Sequence, residues 1–219
     1  MLRVGLTGEL GSGKSTAARM FAECGARVFS ADAIGRELMQ PGQTVYSEIV
    51  KHFGAGVVAE DGSLDRGALA RLAFGDGRVE ELNAIVHPAV IARQAELVAE
   101  VASRKPDAVA MVESALVFET KYGGEGGLRT RFDKVILVRA SEEMKIARFI
   151  QRSAGSKSLT PAERDALEAE ARRRLAKQGE TERNAANCDY VLTNDGSLEE
   201  LRVQVEAIWP ALREAARQK

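Results

Sequence analysis

Gly8-Glu9-Leu10-Gly11-Ser12-Gly13-Lys14-Ser15, followed by Thr16, is the stretch that decides the fold. It fits the phosphate-binding pattern G-x-x-x-x-G-K-[ST], and its surroundings fit as well. Leu2 to Thr7 reads as a short buried strand, and Ser15 to Glu23 as a helix with Ala17, Met20 and Phe21 on one side. A strand, a glycine-rich turn and a helix are what such a loop requires. Glycine lets the backbone curl close to a polyphosphate with no Cβ in the way. The curl aims several N–H groups at one anion, and the helix N-terminus adds partial positive charge. Gly8, Gly11, Ser12, Gly13 and Thr16 are therefore expected around the phosphates. Lys14 is expected on the β- and γ-phosphates, and the Ser15 hydroxyl on Mg²⁺. The competing reading is a glycine-rich turn that binds nothing; a chance match in a chain of this length is on the order of one in a hundred.

The next strand, Arg27 to Ser30, leads straight into Asp32, with Ile34, Leu38 and Met39 following at helical spacing. Asp32 fits two roles. It is a good helix N-cap. It is also a carboxylate at the carboxyl end of a strand, where open α/β sheets bind ligands. There it could take a proton from an incoming hydroxyl. Further on, Val45, Ile49 and Phe53 give a helix, and Gly54 to Gly62 a loop. Asp65 starts a short helix with Leu69 and Leu72. Val79 to Val86 reads as one helix, and Pro88 begins or kinks the next, which carries Ile91 and Val98. His87 lies at that joint. A lone His is most often structural, with a ligand role as the alternative.

Ala108 to Val112 is an apolar run that reads as a buried parallel strand. It ends at Glu113, where an acidic residue near Mg²⁺ is expected. Gly123 to Gly127 reads as an exposed glycine-rich loop. Val135 to Val138 is the fourth strand, and Tyr190 to Leu192 the fifth. Between these two, Ser141 caps a helix with Met144, Ala147 and Ile150 expected inward, while Arg148 and Arg152 project from other turns. Thr160-Pro161-Ala162-Glu163 is a capping box. The Ala-, Glu- and Arg-rich helix it starts has too few large apolar residues for core. It is either a solvated face or an arginine-bearing lid over phosphates. After Asn194-Asp195-Gly196, a second capping box (Ser197, Glu200) opens a helix striped by Leu198, Leu201, Val205, Ile208 and Leu212. Five apolar strands alternating with helices predict an α/β, three-layer fold around a five-stranded parallel sheet.

The 219 residues suffice for one domain, with 43–104 as a helical acceptor-binding region and 153–181 as a lid. With 31 basic and 32 acidic residues, the net charge of −1 gives no reason to expect nucleic acid or a membrane surface as partner. The first strand begins at Leu2, so no signal peptide is expected. Cys24 and Cys188 form no metal-ligand pattern and are read as small buried hydrophobes in a reducing cytoplasm. No guanine-reading N-K-x-D accompanies the loop, which argues against a GTPase switch.

Beyond the loop, the chain resembles the dephospho-CoA kinase family along nearly its whole length. The matching segments are Leu6-Thr7-Gly8 through Thr16, Ala31-Asp32, Leu82-Asn83-Ala84-Ile85-Val86-His87-Pro88, and Glu113-Ser114-Ala115-Leu116-Val117-Phe118-Glu119. Gln151-Arg152, Ala176-Lys177-Gln178 and Asp189 through Gly196 complete them. Two positions depart from the pattern: Ser30 stands where many members have Asp, and Ala115 where many have Pro. The resemblance implies ATP-dependent phosphorylation of the ribose 3′-hydroxyl of 3′-dephospho-CoA, with Mg²⁺ as cofactor. It implies Asp32 as base and acceptor ligand, and His87 and Glu113 in the acceptor pocket. Lys14, Arg148 and Arg152 would stabilise charge, and Asn194 would contact the nucleotide. A nucleoside or nucleotide kinase of the same architecture, or a non-catalytic nucleotide-binding module, are the alternatives.

Overall fold

Strand β1 (Leu2–Thr7) lies at the centre of a five-stranded sheet in the computed structural model, which describes residues 1–75, 77–115, 117–118, 127–178 and 184–219. With β2 (Arg27–Ser30), β3 (Val109–Glu113), β4 (Lys134–Arg139) and β5 (Tyr190–Thr193) the order is β2-β3-β1-β4-β5, every pairing parallel. The predicted fold class is the observed one. Residues 123–126 of the glycine-rich stretch, and Leu116 and Glu119, lie outside the described residues.

Alternation along the strands builds two apolar layers. Leu2, Val4, Leu6, Met111, Ile136 and Val138 face α1 (Lys14–Cys24) and α9 (Leu198–Arg217). There they meet Ala17, Met20, Phe21, Leu201, Val205 and Leu212. Leu198, expected in this stripe, is 62% exposed because it stands at the first turn, beyond the sheet's edge. On the opposite face Val112 and Val135 pack with Phe132 and with Val98 of α5 (Val79–Arg104). Gly5 is the close-approach point there: a Cβ would stand 3.1 Å from the Phe132 ring.

A satellite core holds α2 (Ala31–Leu38), α3 (Thr44–Phe53), a short turn at Ala55–Val57 and α4 (Arg66–Ala70) against the N-terminal half of α5. Val45, Ile49, Val57 and Leu69 are its buried centre. Three expectations change here. The span 54–62 is not all loop, since it contains that turn and leads to a bridge between Val58 and Leu64. Pro88 does not begin a helix, because α5 runs from Val79 to Arg104 with Pro88 inside. Asp32 is not an N-cap: Ser30 holds that position, and Asp32 sits in the first turn of α2. Asp65, by contrast, caps α4 by accepting from Gly67 and Ala68 N–H.

After the one-turn α6 (Leu128–Arg131), helix α7 (Glu142–Ala154) and α8 (Pro161–Gln178) pack together through Ile146, Phe149, Ile150, Ala171 and Leu175. Ala147 is exposed, and Lys145 takes the inward place predicted for it. Both capping boxes form, at Thr160–Glu163 and Ser197–Glu200. Cys24 and Cys188 are half-buried and are not joined in a disulfide. The edge strand β5 is closed off by Gln204, whose carboxamide accepts from Thr193 N–H and donates to its carbonyl. Among the described residues no helix is long and apolar enough to cross a membrane.

Candidate active site

Parallel register gathers the site. Leu6 pairs with Glu113, and Ser30 pairs with the same Glu113, so β1, β2 and β3 end at one level. The loop at 8–15, Asp32 and Glu113 therefore emerge together at the carboxyl edge, beside the central strand. On the other side Arg139 pairs with Thr193, which delivers Asn194 to the same edge.

The loop has the backbone its sequence predicts. Gly11 and Gly13 take φ of 72° and 94°, a region that disfavours any side chain. A Cβ at Gly11 would overlap the Lys145 carbonyl, and one at Gly13 the Asn194 amide. Gly13 is also the N-cap of α1 and supplies no side-chain cap, so the Lys14 and Ser15 N–H groups are open to an anion, while the Thr16 N–H donates to the Gly13 carbonyl at 3.0 Å. Ser12 is fully buried, with its hydroxyl lacking a hydrogen-bond partner.

Around the loop stands a scaffold that sequence reasoning found only in part. Lys145 donates to Glu9 at 2.6 Å, with the two side chains 7% and 6% exposed. Gln178, at the end of α8, accepts from Leu10 N–H at 2.8 Å, and the Leu10 side chain joins the α7–α8 cluster. Asn194, 3% exposed, donates to the Ser12 carbonyl at 2.8 Å and accepts from Arg148 at 3.3 Å. Arg148 also reaches the Gly11 carbonyl at 3.4 Å. The structure thus brings Asn194 and Arg148 onto the loop. No sequence signal marks the Lys145–Glu9 pair, whose members are 136 residues apart.

Lys14 is half-buried, and burial pushes its ammonium pKa down. The carboxylates of Glu113 and Asp32 oppose that shift, while Arg152 adds to it. Glu113 also accepts from the Ser15 hydroxyl at 2.7 Å. A hydroxyl and a carboxylate at this separation are hard oxygen donors, the set a Mg²⁺ ion takes beside phosphates. Among the described residues there is no cluster of three or more His, Cys, Asp or Glu. That does not conflict, since Mg²⁺ keeps several waters and needs only one or two carboxylates. Arg152 is exposed on α7, its guanidinium 6.0 Å from the Phe149 ring centre. Arg174 of α8 covers the same ring at 5.3 Å and pairs with Glu170.

Next to the loop opens a cleft of about 400 Å³ between α2 and α5. Asp32, Gly35 and Arg36 line one wall, and Val86, His87, Val90, Ile91 and Gln94 the other. Ser114 and Arg131 also border it. None of its lining comes from residues 43–85. Of the 43–104 region, residues 86–94 of α5 line the cleft, while α3 and α4 pack against the N-terminal half of α5. Burial lowers the His87 pKa, against a smaller upward pull from Glu80, so the imidazole is neutral near pH 7. Burial alone lowers the Arg131 pKa. The sequence reading gave neither Gln94 nor Arg131 a role, and no motif marks them.

A glycine-rich phosphate seat, a carboxylate facing a cleft and arginines on a flanking helix define a P-loop kinase. The sequence profile of the dephospho-CoA kinase family matches residues 2–200. This chain belongs to that family. It is 39% identical over 219 residues to a dephospho-CoA kinase of Streptomyces avermitilis, covering 100% of this chain and 97% of the relative. A dephospho-CoA kinase of Mycolicibacterium paratuberculosis is 38% identical over 95% of this chain, and the chain spans 47% of that longer relative. Among solved structures, TT1252 from Thermus thermophilus superposes with a TM-score of 0.71 at 32% identity, covering 96% of this chain and 97% of the other.

Proposed function

We propose that the chain transfers the γ-phosphoryl group of ATP to the ribose 3′-hydroxyl of 3′-dephospho-CoA, giving CoA and ADP, the last step of CoA synthesis. The observation that carries this is the shared edge: Asp32 faces the cleft while its charge acts on Lys14 of the phosphate loop. A donor phosphate on the loop and an acceptor hydroxyl in the cleft then meet at one carboxylate.

Phosphoryl transfer is mostly positioning and charge stabilisation. The loop N–H groups and Lys14 hold the β- and γ-phosphates. Asp32 orients the 3′-hydroxyl and takes its proton as the oxygen bonds to phosphorus. The bond to the bridging oxygen breaks, and the electron pair leaves with ADP. Ser15 and Glu113 are the residues that would hold Mg²⁺, which when bound neutralises phosphate charge. Arg148 stands on the loop to meet developing charge, and Asn194 holds it there. Arg152 adds its charge from α7. The neutral His87 and the apolar wall around Val86, Val90 and Ile91 seat the acceptor's nucleoside. The lid is assigned to 153–181 and the acceptor region to 43–104, with α2 added because it supplies one wall of the cleft. Both substrates are small and soluble, in keeping with a cytoplasmic enzyme.

The test is ADP release from ATP and Mg²⁺ with dephospho-CoA, adenosine, AMP or no acceptor. Turnover with dephospho-CoA far above the others is expected. Preference for a nucleoside or nucleotide would overturn the acceptor while keeping the phosphate loop. Asp32→Asn should lower kcat by about a hundredfold or more; near-normal turnover would remove it as base.

A further inference from the structure

Two polar side chains in the cleft have no hydrogen-bond partner among the described residues. Gln94 is 5% exposed and borders the cleft with its carboxamide unpaired. Arg131 is half-buried with no carboxylate near it among the described residues, its guanidinium 5.0 Å from the Phe132 ring centre. Its neighbours are all committed. Arg129 pairs with Asp189 at 2.7 Å, the Thr130 carbonyl accepts from Arg3, and Asp133 is bound by Arg3 and Lys219. The backbone carrying Arg131 is thus clamped on both sides, while Arg131 itself turns into the cleft. A half-buried cation left unpaired costs free energy, and the Gln94 carboxamide beside it is open to the cleft and available to donate. One oxyanion would meet both groups.

Position says which oxyanion. Gln94 and Arg131, with Ile91, also border a second, smaller hollow lined by Ala95, Val98 and Phe132. They stand at the junction between a space bordered by Asp32 and a second space with no acidic residue in its lining among the described residues. A cleft of about 400 Å³ is only some 9 Å across if round, so Asp32 and Arg131 lie within one nucleotide's reach. Along the acceptor proposed above, the same order holds: a ribose hydroxyl, then a diphosphate, then an uncharged arm.

We propose that Arg131, with Gln94 as a neutral donor beside it, binds the 5′-diphosphate of the acceptor and so selects a nucleotide conjugate over a bare nucleoside. The proposal rests on the acceptor reading given above. Guanidinium suits this task because its planar fork donates two hydrogen bonds to phosphate at once.

The experiment compares wild type, Arg131→Gln and Arg131→Lys in steady-state kinetics. Adenosine, which lacks the diphosphate, serves as a competitive inhibitor against dephospho-CoA. Arg131→Gln should raise KM for dephospho-CoA roughly 10- to 100-fold, the loss of a charge-assisted pair. KM for ATP, kcat and the inhibition constant of adenosine should each change less than about threefold. Arg131→Lys should recover part of the loss. An equal loss of adenosine binding, a matching fall in kcat, or an unchanged KM for dephospho-CoA would each overturn the proposal. Failure of the acceptor reading shows separately, as wild-type enzyme that turns over some other acceptor.

Discussion

Replacing Asn194 with alanine separates two roles that its position allows. Its side chain makes two contacts, donating to Ser12 O at 2.8 Å and accepting from Arg148 at 3.3 Å. The first is a neutral buried bond, the second a long charge-assisted one, and together they contribute about 2–3 kcal/mol. For a chain of this size that loss corresponds to about 4–12 °C in Tm. The kinetic effect comes from Arg148, which keeps only the Gly11 carbonyl at 3.4 Å and loses its lateral hold. An arginine displaced by a fraction of an ångström should lower kcat about tenfold, with KM for ATP within threefold. The assays are a thermal melt and steady-state kinetics of Asn194→Ala, Arg148→Ala and the double variant. The two residues should couple by at least about 1 kcal/mol. Additive effects on kcat would refute the idea that Asn194 acts through Arg148. A rise in KM for ATP with kcat intact would make Asn194 a direct nucleotide ligand, as its motif position first implied.

Lys145→Met leaves Glu9 buried without its cation and should cost about 3–5 kcal/mol, seen as a large fall in Tm; a change under about 2 °C would show that water reaches the pair. Arg152→Ala should lower kcat more than it raises KM for ATP, since an exposed arginine with no ion pair among the described residues is available for the transition state; a pure loss of ATP affinity would assign it to ground-state binding. Arg78 and His52 hold the Glu81 carboxyl down at about 2 from its ordinary 4.5. Below pH 4.5 the unfolded chain takes a proton that the folded chain refuses, so this clasp between α3 and α5 is intact above that pH and lost as pH falls through about 2. In Arg78→Ala the NMR titration midpoint of Glu81 should rise toward 4.5; an unmoved midpoint would remove Arg78 as the cause.

The phosphate loop was legible because its chemistry is local. Eight consecutive residues carry the turn, the cation and the metal oxygen, and the flanking strand and helix are readable by periodicity. Asp32 and Glu113 were legible as strand-end carboxylates, and the parallel register then brings them together. What escaped was long-range pairing. Helical period put Ala147 inside α7, but the α8 contact and Glu9 draw Lys145, Ile146 and Phe149 inward instead. A buried lysine is invisible in sequence until its carboxylate is located. Helix α8 looked too polar for core, and only two of its residues, Ala171 and Leu175, are buried, yet they suffice to seat it. Gln94 and Arg131 were missed for the same reason: each is one polar residue in an ordinary local setting, and the cleft alone gives them meaning.

Helix α5 passes through both the satellite core and the cleft wall as one rod of 26 residues, roughly 39 Å long. Pro88 sits about a third of the way along, where its missing N–H removes one rung of the helix ladder. The hydrophobic contacts with α3 fall mainly before it, at Leu82, Ile85 and Val86, and the sheet contact at Val98 falls after it. A bend of about 10° at Pro88 would carry the Val79 end some 2 Å, given roughly 13 Å of helix on that side. Val86 and His87 line the cleft before Pro88, and Val90, Ile91 and Gln94 line it after, so any such bend would move the satellite core and change the width of the cleft together.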